Sequence, residues 1–131
     1  DPRSGTEIFT GGFGKTGLAL RRYLRPPGRY AGFDIQPRLT TFAAAMFKNL
    51  RLDHFTADCF PIAGNPYYKG ADAGTPADQF AFPYPAAAFD AAVSFSVFTH
   101  LRSKALANYA ANLGRVVRPG GTALLSFYLL D

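Results

Sequence analysis

The chain has 131 residues, enough for one domain with a real core. Its formal charge of +5 comes from scattered lysines and arginines, Arg21, Arg38, Arg51 and Arg102 among them, which read as solvated helix faces rather than a nucleic-acid surface. No apolar run approaches the ~18 residues of a membrane span, and a single cysteine, Cys59, excludes internal disulfides and thiolate metal clusters.

The first residues, Asp1-Pro-Arg-Ser-Gly5, contain no apolar signal segment and no initiator Met. They point to a processed chain or a fragment; with the single cysteine, a reducing, cytoplasmic setting is the expectation. A short first strand is expected over residues 6–10. A helix follows over 16–24, stopped by Arg25-Pro-Pro-Gly28, and a second strand over 29–35. Leu39, Phe42, Ala43, Met46, Phe47 and Leu50 recur at helical spacing behind Pro37, so Pro37–Asn49 is an amphipathic helix. A third strand is expected over 51–57, ending before Asp58 and Cys59.

Residues 60–85 are rich in Pro, Gly, Ala, Tyr and Asp and show no periodicity. They read as a long loop over a ligand site, with one short helix near 76–80. Tyr67, Tyr68 and Tyr84 either line a substrate pocket there or pin the loop. Residues 89–96 read as a buried fourth strand. Leu106, Tyr109, Ala110, Leu113, Val116 and Val117 form another helical stripe, with Ser103 as its cap. Arg118-Pro-Gly-Gly121 is a turn, and 122–130 an apolar fifth strand. The alternation predicts an α/β fold: a doubly wound, mostly parallel Rossmann-like sheet of order 3-2-1-4-5, truncated after the fifth strand, in a single domain over 1–131. Both faces of the last strand are apolar, so its free edge is expected to self-associate.

Gly12, Gly14 and Gly17 fit G-x-G-x-x-G between the first strand and the first helix, and Asp34 lies 20 positions beyond Gly14. The glycines serve the tight turn, the approach of a ligand to backbone, and the packing of helix on strand. The acid at the second strand's tip is placed to accept two ribose hydroxyls. The expected ligand therefore carries adenosine. Three families share such a turn. Thr10-Gly-Gly-Phe-Gly-Lys-Thr-Gly17 resembles the short-chain dehydrogenases, which would imply NAD or NADP. No tyrosine here is followed four residues later by the lysine that family uses. Gly14-Lys15-Thr16 resembles the end of a P-loop, but the position of its first glycine is Phe9.

The second half of the chain separates them. Phe82-Pro-Tyr-Pro-Ala-Ala-Ala-Phe-Asp90, Ser94-Phe-Ser-Val-Phe-Thr-His-Leu101 and Leu113-Gly-Arg-Val-Val-Arg-Pro-Gly-Gly121 resemble the class I S-adenosylmethionine-dependent methyltransferases. Gly12-Phe13-Gly14, Gly32-Phe-Asp-Ile35 and Ala57-Asp58-Cys59 resemble that family's glycine turn, ribose-binding and adenine-binding segments. The resemblance implies S-adenosylmethionine as cofactor. The methionine carboxylate would lie near Gly12, Phe13 and Gly14, and the ribose at Asp34. The adenine would sit between Ile35 and Asp58-Cys59, and the methyl group near Ser96. It implies a methyltransferase acting on a small-molecule acceptor, with no metal and no membrane partner. His100, just beyond the fourth strand, is the one candidate base. The chain departs from the family pattern at Ile8 and Thr10, where an acid and the first glycine of the turn usually stand. A non-catalytic relic of a methyltransferase therefore remains an alternative beside the NAD-binding domain.

Overall fold

The computed structural model describes residues 7–11, 14–64 and 73–128, the first of these by backbone alone. Seven strands and three α-helices follow in order: β1 (Glu7–Gly11), α1 (Lys15–Leu20), β2 (Arg29–Asp34), α2 (Pro37–Asn49), β3 (Phe55–Cys59), β4 (Ile62–Ala63), β5 (Thr75–Pro76), β6 (Phe89–Ser94), α3 (Ser103–Val116) and β7 (Val117–Leu125). The main sheet runs β3-β2-β1-β6-β7, and every pairing in it is parallel. A separate two-stranded sheet pairs β4 with β5. It lies within the segment expected to be loop.

Parallel strands need crossovers, and the crossovers cover both faces of the sheet. Alternation along β2 divides the core in two. Tyr30 packs with Leu24, Ala43, Phe47 and Phe55 in a cluster with the α2 helix. Ala31 and Phe33 belong to the other cluster, with Phe82, Phe98, Tyr109, Leu113 and Val116. Aromatic edges set much of the packing: Tyr30 meets Phe47 edge-on at 5.7 Å, and Phe82 meets Tyr109 edge-on at 5.1 Å.

Several boundaries differ from the sequence-based expectation. The α1 helix ends at Leu20, whose carbonyl accepts the N–H groups of both Tyr23 and Leu24 in a closing turn. The β3 strand starts four residues late, because Arg51 adopts φ 55° and the chain turns through 51–54 before pairing with β2. Residues 77–79 form turns, not a helix. Ser103 does not cap α3; Arg102 holds the cap position and makes no side-chain cap bond. The Arg118-Pro-Gly-Gly121 turn lies within β7. Phe89 pairs with Val117 and Ala91 with Thr122, so four residues bulge opposite Asp90. Arg118 is bonded to Asp90 across that bulge, with Nε 2.5 Å from the carboxylate. A Cβ at Gly121 would come within 2.8 Å of the Asp90 carbonyl oxygen, so only glycine fits the crossing.

Candidate functional site

The carboxyl ends of β2 and β6 flank β1, where the strand order reverses. In doubly wound sheets that edge is where ligands bind. A cavity of about 330 Å³ opens there, within the size range of small-molecule sites. Its walls come from four parts of the chain. Phe33, Asp34, Ile35, Gln36 and Leu39 lie at the end of β2 and the start of α2. Ile62, Ala63 and Ala77 belong to the β4–β5 segment. Phe95, Ser96, Val97, His100 and Leu101 follow β6, and Tyr109 comes from α3.

Asp34 is the last residue of β2 and is half-buried. Its Oδ1 accepts the Gln36 N–H at 2.9 Å, a turn that fixes the carboxylate at the cavity wall. Burial pushes its pKa above the ordinary 3.8, against the backbone N–H groups of Gln36 and Ile35, which pull it down. Ser96 has φ 59°, a left-handed conformation uncommon for serine. Its N–H donates to Ser126 Oγ at 2.8 Å, which ties the loop after β6 to the end of β7. His100 sits in a short 3₁₀ turn, Phe98–His100.

The glycine turn is only partly within view. Gly12 and Phe13 lie outside the described residues, as do Tyr67 and Tyr68. Gly14 is buried, at φ 91°, and occupies the N-cap position of α1. A Cβ there would stand 2.8 Å from that of Ala43. At Gly17 an added Cβ would meet Phe47 at 2.7 Å and the Tyr30 ring at 2.9 Å, so this glycine lets α1 lie against β2 and α2.

Asp58 and Cys59 end β3 in register with Phe33 and Asp34, and both are exposed. Neither lines the cavity, although desolvation raises the Asp58 carboxyl above its ordinary value. Tyr84 sits against Phe89, also away from the cavity. His54 lies just before β3, with Nε2 3.3 Å from the Leu24 carbonyl. Among the described residues no group of three or more His, Cys, Asp or Glu is placed to hold a metal. No helix among them is long and apolar enough to cross a membrane.

Sequence reasoning missed the cavity's far wall. A polar ladder on α3 holds the segment 77–84 against the core. Asn108 Nδ2 donates to the Ala77 and Phe80 carbonyls, each at 2.9 Å. Asn112 accepts the Phe82 N–H at 2.8 Å, and Arg115 donates to the Phe82 and Tyr84 carbonyls, each at 2.7 Å. The spacing 108, 112, 115 is one helix face, and that was the available signal.

The family described as Methyltransferase domain matches residues 10–125. The YcgJ protein from Bacillus subtilis is 20% identical; the match covers 92% of this chain and 43% of that one, with a TM-score of 0.63. An S-adenosylmethionine-dependent methyltransferase from Aquifex aeolicus is 15% identical over 88% of this chain and 53% of that one, also at 0.63. A geranyl diphosphate C-methyltransferase from Streptomyces coelicolor, solved with Mg²⁺, geranyl diphosphate and S-adenosyl-L-homocysteine, is 15% identical over 93% and 39%, at 0.63. The chain thus spans about half the length of these structures or less. The family match runs through both halves of the chain, including β6, α3 and β7, which the dehydrogenase resemblance left unexplained. The chain belongs to the S-adenosylmethionine-dependent methyltransferases of class I, as a core domain of that family.

Proposed function

We propose that this domain binds S-adenosylmethionine in the cavity at the ends of β2 and β6 and transfers its methyl group to a small-molecule acceptor. The observation that carries the reading is Asp34. Its carboxylate lines the cavity, with one oxygen engaged by the Gln36 N–H, and it stands beside the apolar side chains of Ile35, Leu39 and Val97. That combination fits an adenosine: a carboxylate for the ribose hydroxyls and an apolar slot for the base. In this reading Gly12, Phe13 and Gly14 meet the methionine part and Ile35 borders the base, while Asp58 and Cys59, outside the cavity lining, take no direct part. Residues 60–85 serve as the active-site segment.

When bound, the cofactor supplies a sulfonium methyl with a good leaving group, so alignment of the acceptor provides much of the catalysis. The chain's own part is to exclude water and orient. Ser96 and Phe95 line the cavity and in this reading stand near the transferred methyl group. His100 lines the same cavity and is proposed to take a proton from the acceptor. We further propose a cytoplasmic setting, and the free edge of β7 as a surface for self-association.

The test is Asp34→Ala, titrated calorimetrically with S-adenosylhomocysteine. Charge-assisted hydrogen bonds contribute ~1.5–3 kcal/mol, so affinity is expected to fall at least about tenfold with little change in melting temperature. Unchanged affinity would place the ribose elsewhere.

A further inference from the structure

Tyr109 stands out among the cavity residues. It is only 4% exposed. Its ring is held edge-on by Phe82 at 5.1 Å and by Phe98 at 6.2 Å, so it has little room to change rotamer. Yet the cavity reaches it. Among the described residues its hydroxyl makes no hydrogen bond, and it is not one of the sealed polar atoms of the core: it belongs to the lining of the cavity. Leu113 and Val116, on the same stripe of α3, are purely apolar and buried. A phenylalanine would fill the place of Tyr109 in the core equally well, so the core does not account for the hydroxyl.

The charge at Asp34 reaches this group. Burial raises the Tyr109 pKa first, and the Asp34 carboxylate raises it further, so the phenol stays protonated and is a donor. Asp34 can only accept while it is ionised. A sugar hydroxyl between them would donate to Asp34 and accept from Tyr109. It would satisfy both groups at once.

We infer that Tyr109 is a specificity-determining residue of this cavity, donating its phenolic hydrogen to a ribose oxygen of the adenosine that Asp34 binds. The inference rests on the proposed cofactor reading and deepens it. The pair selects a hydroxylated sugar, because loss of the sugar hydroxyl leaves a donor and an acceptor of the filled cavity without their partner.

The experiment uses Tyr109→Phe, which keeps the ring and its packing. Parent and variant are titrated with S-adenosylhomocysteine and with its 2′-deoxy and 3′-deoxy forms, and melted without ligand. Loss of one neutral hydrogen bond is expected to weaken S-adenosylhomocysteine binding about fivefold to tenfold. Against one of the two deoxy forms, Tyr109→Phe and parent should bind alike, so discrimination narrows there. The unliganded melting temperature should hold or rise, since no hydrogen bond is lost from the empty fold; a merely structural hydroxyl would lower it. Equal binding of S-adenosylhomocysteine by parent and Tyr109→Phe overturns the inference. So does an equal loss for all three ligands. If Asp34→Ala still weakens binding in that case, the cofactor reading stands and only Tyr109 is misassigned. A parent chain that binds none of the three overturns both.

Discussion

Asp34 ends β2 and lines the cavity. The sequence placed an acid 20 residues beyond Gly14; the structure adds the Gln36 N–H that orients it and the burial that raises its pKa. For an acid, a raised pKa in the folded state means the native chain keeps its proton to higher pH than the unfolded one. Between 3.8 and the raised value the unfolded chain binds fewer protons, so stability falls as pH rises through that window. Ribose hydroxyls donate only to the ionised form. Affinity for S-adenosylhomocysteine is therefore expected to climb over the same window and level off above it. Calorimetry from about pH 4 to about pH 7 should show this climb in the parent and lose it in Asp34→Asn. A flat profile in the parent would contradict the assignment. Tyr109 was legible only as one member of an apolar stripe, because a sequence does not say which side of a helix faces a cavity rather than a core.

At the level of elements, strong periodicity gave reliable boundaries. Pro37–Asn49 follows from the recurrence of Leu39, Ala43, Met46 and Phe47 behind a proline suited to the first helical turn. The β4–β5 pair was not legible, since two-residue strands carry no period and the partners, Ile62 with Thr75 and Ala63 with Pro76, are not neighbours in sequence. Polar helix residues such as Asn108, Asn112 and Arg115 are most often solvated. Instead Asn112 is 7% exposed and holds both the Phe80 carbonyl and the Phe82 N–H. Each such backbone group left unpaired in the core would cost about 1–3 kcal/mol. The β7 strand was half legible: its place at the edge beside β6 agrees with the expected order, while the Arg118–Gly121 turn proves to be a bulge inside the strand. Leu125 packs on the core while Leu124 is 55% exposed, and Phe127 and Tyr128 beyond the strand are exposed as well. A free parallel edge with exposed apolar side chains is an association site. Light scattering on the 131-residue chain is expected to show dimers or larger species. A stable monomer at high concentration would show that this edge is protected.

Across the whole molecule, the site exists because the order β3-β2-β1-β6-β7 brings the ends of β2 and β6 to either side of β1. Asp34 and Ile35 come from one side, Ser96 and His100 from the other, and α3 and the β4–β5 segment close the far wall. The glycine turn, Asp34 and the segment after β6 were each ambiguous in sequence. Three families share such a turn, and only the second half of the chain separated them. The fold joins Asp34 and the segment after β6 in one cavity, which in the proposed reading takes the adenosine. The most direct test of this account is the cofactor itself, by parallel calorimetric titration of the parent chain with S-adenosylhomocysteine and with NAD. Saturable binding of S-adenosylhomocysteine is expected, with NAD bound at least about tenfold more weakly, a difference of about 1.4 kcal/mol or more. NAD binding as tight as, or tighter than, S-adenosylhomocysteine would contradict it.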